Sequence, residues 1–98
     1  MIEKIPCVYI LASKKNGTTY VGVTSNLFKR VWEHKNDITE GFTKRYKVHT
    51  LVHYEVCPSM NAAIFREKQI KAGSRKKKIY LIETKNSQWL DLYDDLVG

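Results

Sequence analysis

Two β-favouring runs flank a turn signal in the stretch C7-V-Y-I-L-A-S-K-K-N-G-T-T-Y-V-G-V-T24. Residues 7–12 and 18–23 are rich in aliphatic and aromatic side chains, which favour extended strands. Asn16-Gly17 between them is a strong signal for a tight turn. The stretch therefore predicts a β-hairpin.

Tyr9 and Tyr20 fall on one face of this hairpin in either of two registers, because opposed residues of antiparallel strands point to the same side. A two-residue turn at Asn16-Gly17 offsets the tyrosines by four residues, roughly 13 Å along the strand. A longer loop places them directly opposite each other, and we expect it if both act on one phosphate. Gly22 shares their face and leaves it open, as a strand glycine does where a ligand or another backbone approaches.

The remaining pattern predicts a single α+β (mixed α/β) domain over residues 1–98. Ser25 or Asn26 is a plausible helix cap, and Gly41 and Gly73 are expected to end helices. After the hairpin we expect a helix at 27–39, a strand at 48–56, a helix from 58 to about 72, and shorter helices around 75–83 and 88–96. These elements describe a small three-stranded, mainly antiparallel sheet flanked by helices, in the order β-β-α-β-α-α.

The chain is strongly basic. Its 98 residues contain 17 Lys and Arg against 10 Asp and Glu, which gives a formal net charge of +7. Such a balance predicts an anionic partner, with nucleic acid ahead of a membrane surface. It does not distinguish a protein that cuts nucleic acid from one that only binds it.

Nothing in the sequence indicates export, a membrane span or a zinc site. We expect no targeting segment, and no stretch approaches the roughly 18 apolar residues that a span requires. Cys7 and Cys57 are expected to be buried free thiols in a cytoplasmic protein. His49 and His53 share a four-residue spacing with Cys57, but structural zinc needs a fourth ligand, and none stands at a suitable spacing.

The first predicted helix carries two polar residues beside its apolar stripe. Leu27, Val31 and Ile38 form the stripe at helical spacing. Arg30 and His34, one turn apart, stand at its margin, toward the expected sheet contact. Either both side chains extend past the core to solvent, which is the commoner arrangement, or they are placed there for a function.

Glu67 is the most informative acid in the sequence. The apolar face of its helix is formed by Met60, Ala63, Ile64 and Ile70, and Glu67 falls in the middle of that face. A carboxylate there must be paired, hydrogen-bonded or bound to a metal, because a buried lone charge costs several kcal/mol. An ion pair with Arg30 and a divalent-metal site explain it equally well. Among the other acids, Asp91, Asp94 and Asp95 cluster near the C-terminus and are expected on a solvated helix face.

These motifs together resemble the GIY-YIG nuclease superfamily. The two signatures correspond to V8-Y9-I10 and Y20-V21-G22. In the first signature, Cys7 or Val8 stands where the family name has Gly and Ile. The helix arginine, the following histidine, the glutamate and the late asparagine correspond to Arg30, His34, Glu67 and Asn86. The resemblance covers roughly residues 6–90, and the chain looks like a short stand-alone member. Ninety-eight residues leave no room for an attached recognition domain, so we expect low sequence specificity.

The resemblance implies hydrolysis of DNA phosphodiester bonds that depends on Mg²⁺, with Mn²⁺ as a substitute. In that interpretation Glu67 holds a single metal ion, and one carboxylate suffices because water and phosphate complete the coordination of Mg²⁺. Tyr20, assisted by Tyr9, orients or deprotonates the attacking water. That base role requires nearby positive charge, because a free tyrosine has a pKa of about 10.

The resemblance also implies roles for three further residues. Arg30 stabilises charge that develops on the phosphate, for which a guanidinium is well suited. His34 positions water or protonates the leaving group, and Asn86 orients part of the site.

A basic run adjoins the Glu67 helix. Its members are Lys68, Lys71, Arg75, Lys76, Lys77 and Lys78. They either form a solvated surface or follow a phosphate backbone without reading bases. Phe28 and Trp32 are more often core or interface residues than base-stacking platforms.

Three functions remain open at this stage. The preferred one is a nuclease for damaged, branched or single-stranded DNA. The alternatives are a nucleic-acid-binding module that cuts poorly or not at all, and a subunit whose protein partner supplies recognition.

Overall fold

The structure, a computed structural model, describes residues 4–39 and 41–97 and contains a three-stranded antiparallel sheet. The strands are β1 (Cys7–Ala12), β2 (Thr19–Thr24) and β3 (Thr50–Val56), in the spatial order β2-β1-β3. The helices are α1 (Leu27–Lys35), α2 (Phe42–Arg45), α3 (Met60–Ala72), α4 (Arg75–Lys85) and α5 (Tyr93–Val97). The predicted α+β class is confirmed.

The connections differ from the predicted ones where the backbone turns sharply. α1 ends at Lys35, earlier than predicted, and Asp37 then takes a positive φ of 55°. Gly41 does not end that helix but precedes α2, which was not predicted. The last helix begins only at Tyr93, because Trp89 adopts a φ of 57°, which is incompatible with a continuous right-handed helix.

Helices cover both faces of the sheet. On one face α3 and α4 pack through Ile70 and Ile82 onto a cluster that includes Val8, Ile10 and Val52. On the other face α1 packs through Leu27 and Val31, next to the side chains of Cys7, Tyr9, Leu11 and Leu51. Alternate residues of β1 therefore serve two separate cores, and all six of its residues are buried.

The hairpin adopts neither of the two predicted registers. Tyr9 lies opposite Gly22, and Tyr20 lies opposite Leu11, so the tyrosines are offset by two residues. A four-residue turn separates Ser13 from Thr18, whose carbonyl accepts from the Ser13 amide at 2.9 Å. Asn16, not a glycine, takes the positive φ of 60° in this turn. The expectation that both tyrosines share one face is confirmed, with ring centroids 6.4 Å apart.

The space above Gly22 is filled by Tyr9. A Cβ built on Gly22 would lie 2.5 Å from the Tyr9 hydroxyl oxygen and 2.6 Å from Tyr9 Cζ. Since β2 is an outer strand, the ring of Tyr9 reaches from the central strand across β2 toward the edge of the sheet. The opening left by this glycine thus admits a neighbouring side chain of the same protein.

The segment before α5 covers the outer edge of β3. The Leu92 amide donates to the Leu51 carbonyl at 2.7 Å, and the Leu51 amide donates to Asp91 Oδ1 at 3.2 Å. Asp91 also pairs with Lys35 of α1. The predicted solvated face is therefore wrong for Asp91, because its carboxylate satisfies backbone amides and a lysine.

Three further sequence expectations have plain outcomes. Within the described residues, no helix is both long and apolar enough to span a membrane. Cys7 and Cys57 are free thiols, the first buried and the second partly buried. Phe28 and Trp32 are 46% and 45% exposed, so neither belongs to the core.

We predict that Gly22→Ala destabilises the protein by about 1–3 kcal/mol, because the added methyl group overlaps the Tyr9 ring. Urea unfolding of Gly22→Ala, Tyr9→Leu and the double variant measures the coupling between the two positions. We expect about 0.5–3 kcal/mol of coupling, with the alanine better tolerated beside leucine. Strictly additive effects would show that the ring is not the obstacle.

Candidate active site

The centre of the candidate site is the phenol of Tyr9. This residue is only 2% exposed, and its hydroxyl lies 3.1 Å from His34 Nε2 on α1. Burial raises the pKa of Tyr9 well above its usual value, and the neighbouring Tyr20 raises it further. The phenol is therefore a neutral hydrogen-bond donor at ordinary pH, and not a tyrosinate base.

His34 connects this phenol to α2. Its Nδ1 lies 2.9 Å from the hydroxyl oxygen of Thr43, and both residues are almost completely buried. Burial, followed by the positive charge of Arg30, lowers the pKa of His34, so the imidazole is neutral. Because Tyr9 donates to Nε2, the network assigns the ring proton to Nδ1, which donates to Thr43. The expectation that His34 extends to solvent is wrong.

Tyr20 is the more accessible of the two tyrosines. It is partly buried, and its ring centroid lies 5.6 Å from that of His34. Tyr9 and Tyr20 thus differ in environment although they share one face of the hairpin. Of the two tyrosines, Tyr20 alone retains partial exposure to solvent.

Arg30 and Glu67 bring opposite charges to the same centre from different helices. The charge of Arg30 lowers the pKa of Tyr9, and the charge of Glu67 raises it, although both effects are smaller than that of burial. The ion pair between them, one of the two explanations left open for Glu67, is not formed. Arg30 Nε lies 3.6 Å from Glu33, and Glu67 lies 3.5 Å from Lys71, each partner being on the same helix.

Both charged side chains keep some access to solvent. The side chain of Arg30 is 43% exposed, in agreement with the expectation that it extends past the core. Glu67 is 18% exposed, so its carboxylate is largely desolvated but still reachable. A cation and an anion, each with some access to solvent, therefore both influence the phenol electrostatically.

Clustered acids are not part of this site. Among residues 4–39 and 41–97, no three His, Cys, Asp or Glu side chains are grouped to hold a metal. His49 and His53 bond to different carboxylates, Asp37 and Glu55, each at 2.8 Å. Of the predicted site residues Glu67 alone carries a carboxylate that could bind a cation.

Asn86 caps the C-terminal end of α4. Its Nδ2 donates to the carbonyls of Val52 and Leu90, and its Oδ1 accepts from the Leu90 amide. The register between β1 and β3 shifts beside Val52, and a buried carbonyl there needs a donor. In this structure the amide of Asn86 joins backbone segments, and a role in orienting the site remains a prediction.

The predicted nucleic-acid-binding residues follow the end of α3 and the start of α4. Lys68, Lys71, Arg75, Lys76 and Lys77 are exposed, and Lys78 is partly buried. The guanidinium of Arg75 donates to the carbonyls of Asn16 and Gly17, both at 2.8 Å, and so anchors the hairpin turn. Contact of these residues with DNA remains a prediction.

Three residues around α2 were not predicted from the sequence. Thr43 bonds to His34, while Phe42 and Tyr46 are exposed aromatic residues, the first next to Tyr20 and the second next to Phe42. The run F42-T-K-R-Y-K47 alternates aromatic and basic residues, which is a signal for nucleic-acid contact. Nothing local could reveal Thr43, because its partner belongs to another helix.

Comparison with known proteins gives a consistent result. A family model described as the GIY-YIG catalytic domain matches residues 5–80. A UPF0213 protein of Natronomonas pharaonis is 43% identical to this chain, with 76% of the chain and 87% of the relative covered. A UPF0213 protein of Syntrophus aciditrophicus is 39% identical, with 78% and 87% covered.

A solved structure agrees with the sequence relatives. The solution NMR structure of a UPF0213 protein from Bacillus halodurans has a TM-score of 0.55 and 29% identity to this chain. It covers 89% of this chain and 92% of that chain. The family match includes every predicted catalytic residue except Asn86, which lies beyond it.

We predict that neutral, buried His34 makes the protein sensitive to mild acid. A lowered folded-state pKa contributes stability that is present above the ordinary value of 6.5 and is lost as pH falls. The stability difference is the free energy of unfolding of wild type minus that of His34→Gln. It should therefore decrease as the pH falls below this value, by at most about 1.4 kcal/mol per pH unit. Urea unfolding between about pH 5 and 8 measures it. A constant difference would contradict the assignment.

Proposed function

Because this chain belongs to the GIY-YIG family, whose fold is that of a nuclease superfamily, we propose that it is a divalent-metal-dependent endonuclease that hydrolyses DNA phosphodiester bonds at a single-metal site. We also propose low sequence specificity and a preference for damaged, branched or single-stranded DNA. The observation that carries this function is that the charges of Arg30 and Glu67 both act on the buried phenol of Tyr9, whose ring centroid lies 6.4 Å from that of Tyr20.

The donor set is compatible with one hard cation. Glu67 supplies a carboxylate that is neither fully buried nor paired with Arg30. Mg²⁺ accepts such a site, because it retains waters and takes further ligands from substrate phosphates. When bound, Mg²⁺, or Mn²⁺ in its place, withdraws electron density from the phosphate as a Lewis acid. Glu67 is the residue that we expect to hold it.

The two tyrosines divide the remaining work. The raised pKa and deep burial of Tyr9 make it a poor base and a good positioning group. Tyr20 retains exposure, so we assign to it the contact with the attacking water. His34 accepts a hydrogen bond from the Tyr9 hydroxyl and thereby fixes the phenol, without itself reaching the substrate.

Arg30 is placed to meet the negative charge of the substrate. Its guanidinium is partly exposed and is always protonated, and its pairing with Glu33 at 3.6 Å is loose. A phosphate that enters beside Tyr20 can replace that partner with charge-assisted hydrogen bonds. The rate contribution of such a group comes from charge that develops in the transition state.

We predict that Glu67→Gln reduces DNA cleavage by about 100-fold or more, because the uncharged amide binds a divalent cation poorly. Supercoiled, branched and single-stranded DNA are incubated with Mg²⁺ or Mn²⁺, and with a chelator as the metal-free control. Asp94→Asn, which removes an exposed carboxylate on α5, is the matched substitution and should leave the rate unchanged.

Two control measurements are needed to interpret the loss of cleavage. Thermal unfolding and DNA binding in the chelator establish that Glu67→Gln is folded and still meets its substrate. Equal residual cleavage by wild type and Glu67→Gln would show a contaminant or a site that does not use this residue. Salt-sensitive binding without cleavage on every substrate would replace the nuclease with a binding module.

A further inference from the structure

Three aromatic rings form a continuous run from the candidate site to the protein surface. Tyr20 stacks against Phe42 with ring centroids 6.2 Å apart and an interplanar angle of 28°. The ring centroid of Phe42 in turn lies 4.8 Å from that of Tyr46. Phe42 and Tyr46 are 45% and 47% exposed. The run therefore begins at a residue of the site and ends in solvent.

Positive charge accompanies the outer part of this run. Lys44, Arg45 and Lys47 are all exposed and lie in the same segment, which we define as the α2 segment, residues 42–47. The guanidinium of Arg45 lies 5.5 Å from the ring centroid of Tyr46, in a cation–π arrangement. Exposed aromatic faces beside cations suit a polyanion that itself carries flat rings, and this description fits a nucleic-acid strand.

We propose that the α2 segment is a stacking platform for an unpaired nucleotide that flanks the phosphate bound at the site. The inference rests on the proposed nuclease function, because it assigns a substrate class to the same site. A base inside a duplex has both faces covered by its neighbours and presents only its edges in the grooves. The platform therefore selects a single-stranded end, a flap or an opened junction.

Stacking on this platform gives no sequence preference. Every base has an aromatic face, so Phe42 and Tyr46 accept all four, whereas discrimination needs hydrogen bonds to base edges. Arg45 and Lys47 contact the backbone, which is the same at every position. Low sequence specificity thus follows from the chemistry of the surface, and selectivity is for DNA with accessible base faces.

The platform has a rigid support. Thr43 stands between the exposed residues of α2 and is itself 3% exposed, with its hydroxyl 2.9 Å from His34 Nδ1. The segment is thereby joined through His34 to Tyr9. A ring that is already fixed loses little conformational entropy when a base stacks on it, and this favours binding.

The test uses the full chain and short DNA in the presence of a chelator, so that binding is measured without cleavage. The probe is a single-stranded oligonucleotide that contains 2-aminopurine, a base analogue whose fluorescence is quenched by stacking. A hairpin duplex of the same composition is the comparison ligand. The variants are Phe42→Leu and Tyr46→Leu, and the second does not disturb the contact with Tyr20.

Phe28→Leu is the matched control, because Phe28 is 46% exposed and also stacks on a tyrosine, Tyr93, at 5.3 Å. We expect wild type and Phe28→Leu to quench the probe and to bind it equally. Each platform variant should lose quenching and bind the single strand about 5- to 140-fold more weakly, which corresponds to ~1–3 kcal/mol per stacked base. Their affinity for the duplex should change by less than about twofold.

The proposal is overturned if Tyr46→Leu quenches and binds the single strand like wild type, or if duplex binding weakens by the same factor. Either result would leave the aromatic surface for a protein partner. The outcome is independent of cleavage: a wild type that cleaves DNA without stacking on this segment retains the proposed function and loses the platform. If bases stack on this segment but no substrate is cleaved, the platform is retained and the proposed nuclease function is lost.

Discussion

The ring of Tyr9 occupies the space that any side chain at position 22 would need, and its hydroxyl meets His34 on the helix above. This contact ties together three elements, because Tyr9 belongs to β1, Gly22 to β2 and His34 to α1. It also sets the chemistry of the site, since a buried phenol stays protonated. The tyrosines of the two signatures are therefore not equivalent, although a repeat of similar motifs in the sequence presents them as a pair.

The sequence predicted what depends on neighbouring residues and missed what depends on distant ones. The family, the three strands and α3 follow from local pattern, and they are confirmed. The hairpin register was wrong, because Asn16 takes the left-handed position in a turn closed by Ser13 and Thr18. Asn16-Gly17 does lie in the turn, but this signal could not specify how many residues separate the last paired residues of the two strands.

Side-chain environment was the least predictable level. The sequence left open whether His34 extends to solvent or is placed for a function. It is buried, because Thr43 from an unpredicted helix supplies its second hydrogen bond and leaves no ring nitrogen unsatisfied. Helical spacing placed Glu67 on the apolar face, and its burial agrees with that. Its partner was not predicted: Arg30 was considered, but the carboxylate pairs with Lys71, one turn away on the same helix.

The cover on the outer edge of β3 has a consequence for the behaviour of the protein in concentrated solution. Leu51 uses both its amide and its carbonyl in bonds to Asp91 and Leu92, so this part of the strand has no free backbone groups to offer another chain. Unpaired strand edges are templates for intermolecular β-pairing and aggregation. The segment that contains Asp91 and Leu92 thus blocks intermolecular strand pairing at this part of β3, although neither residue belongs to the candidate site.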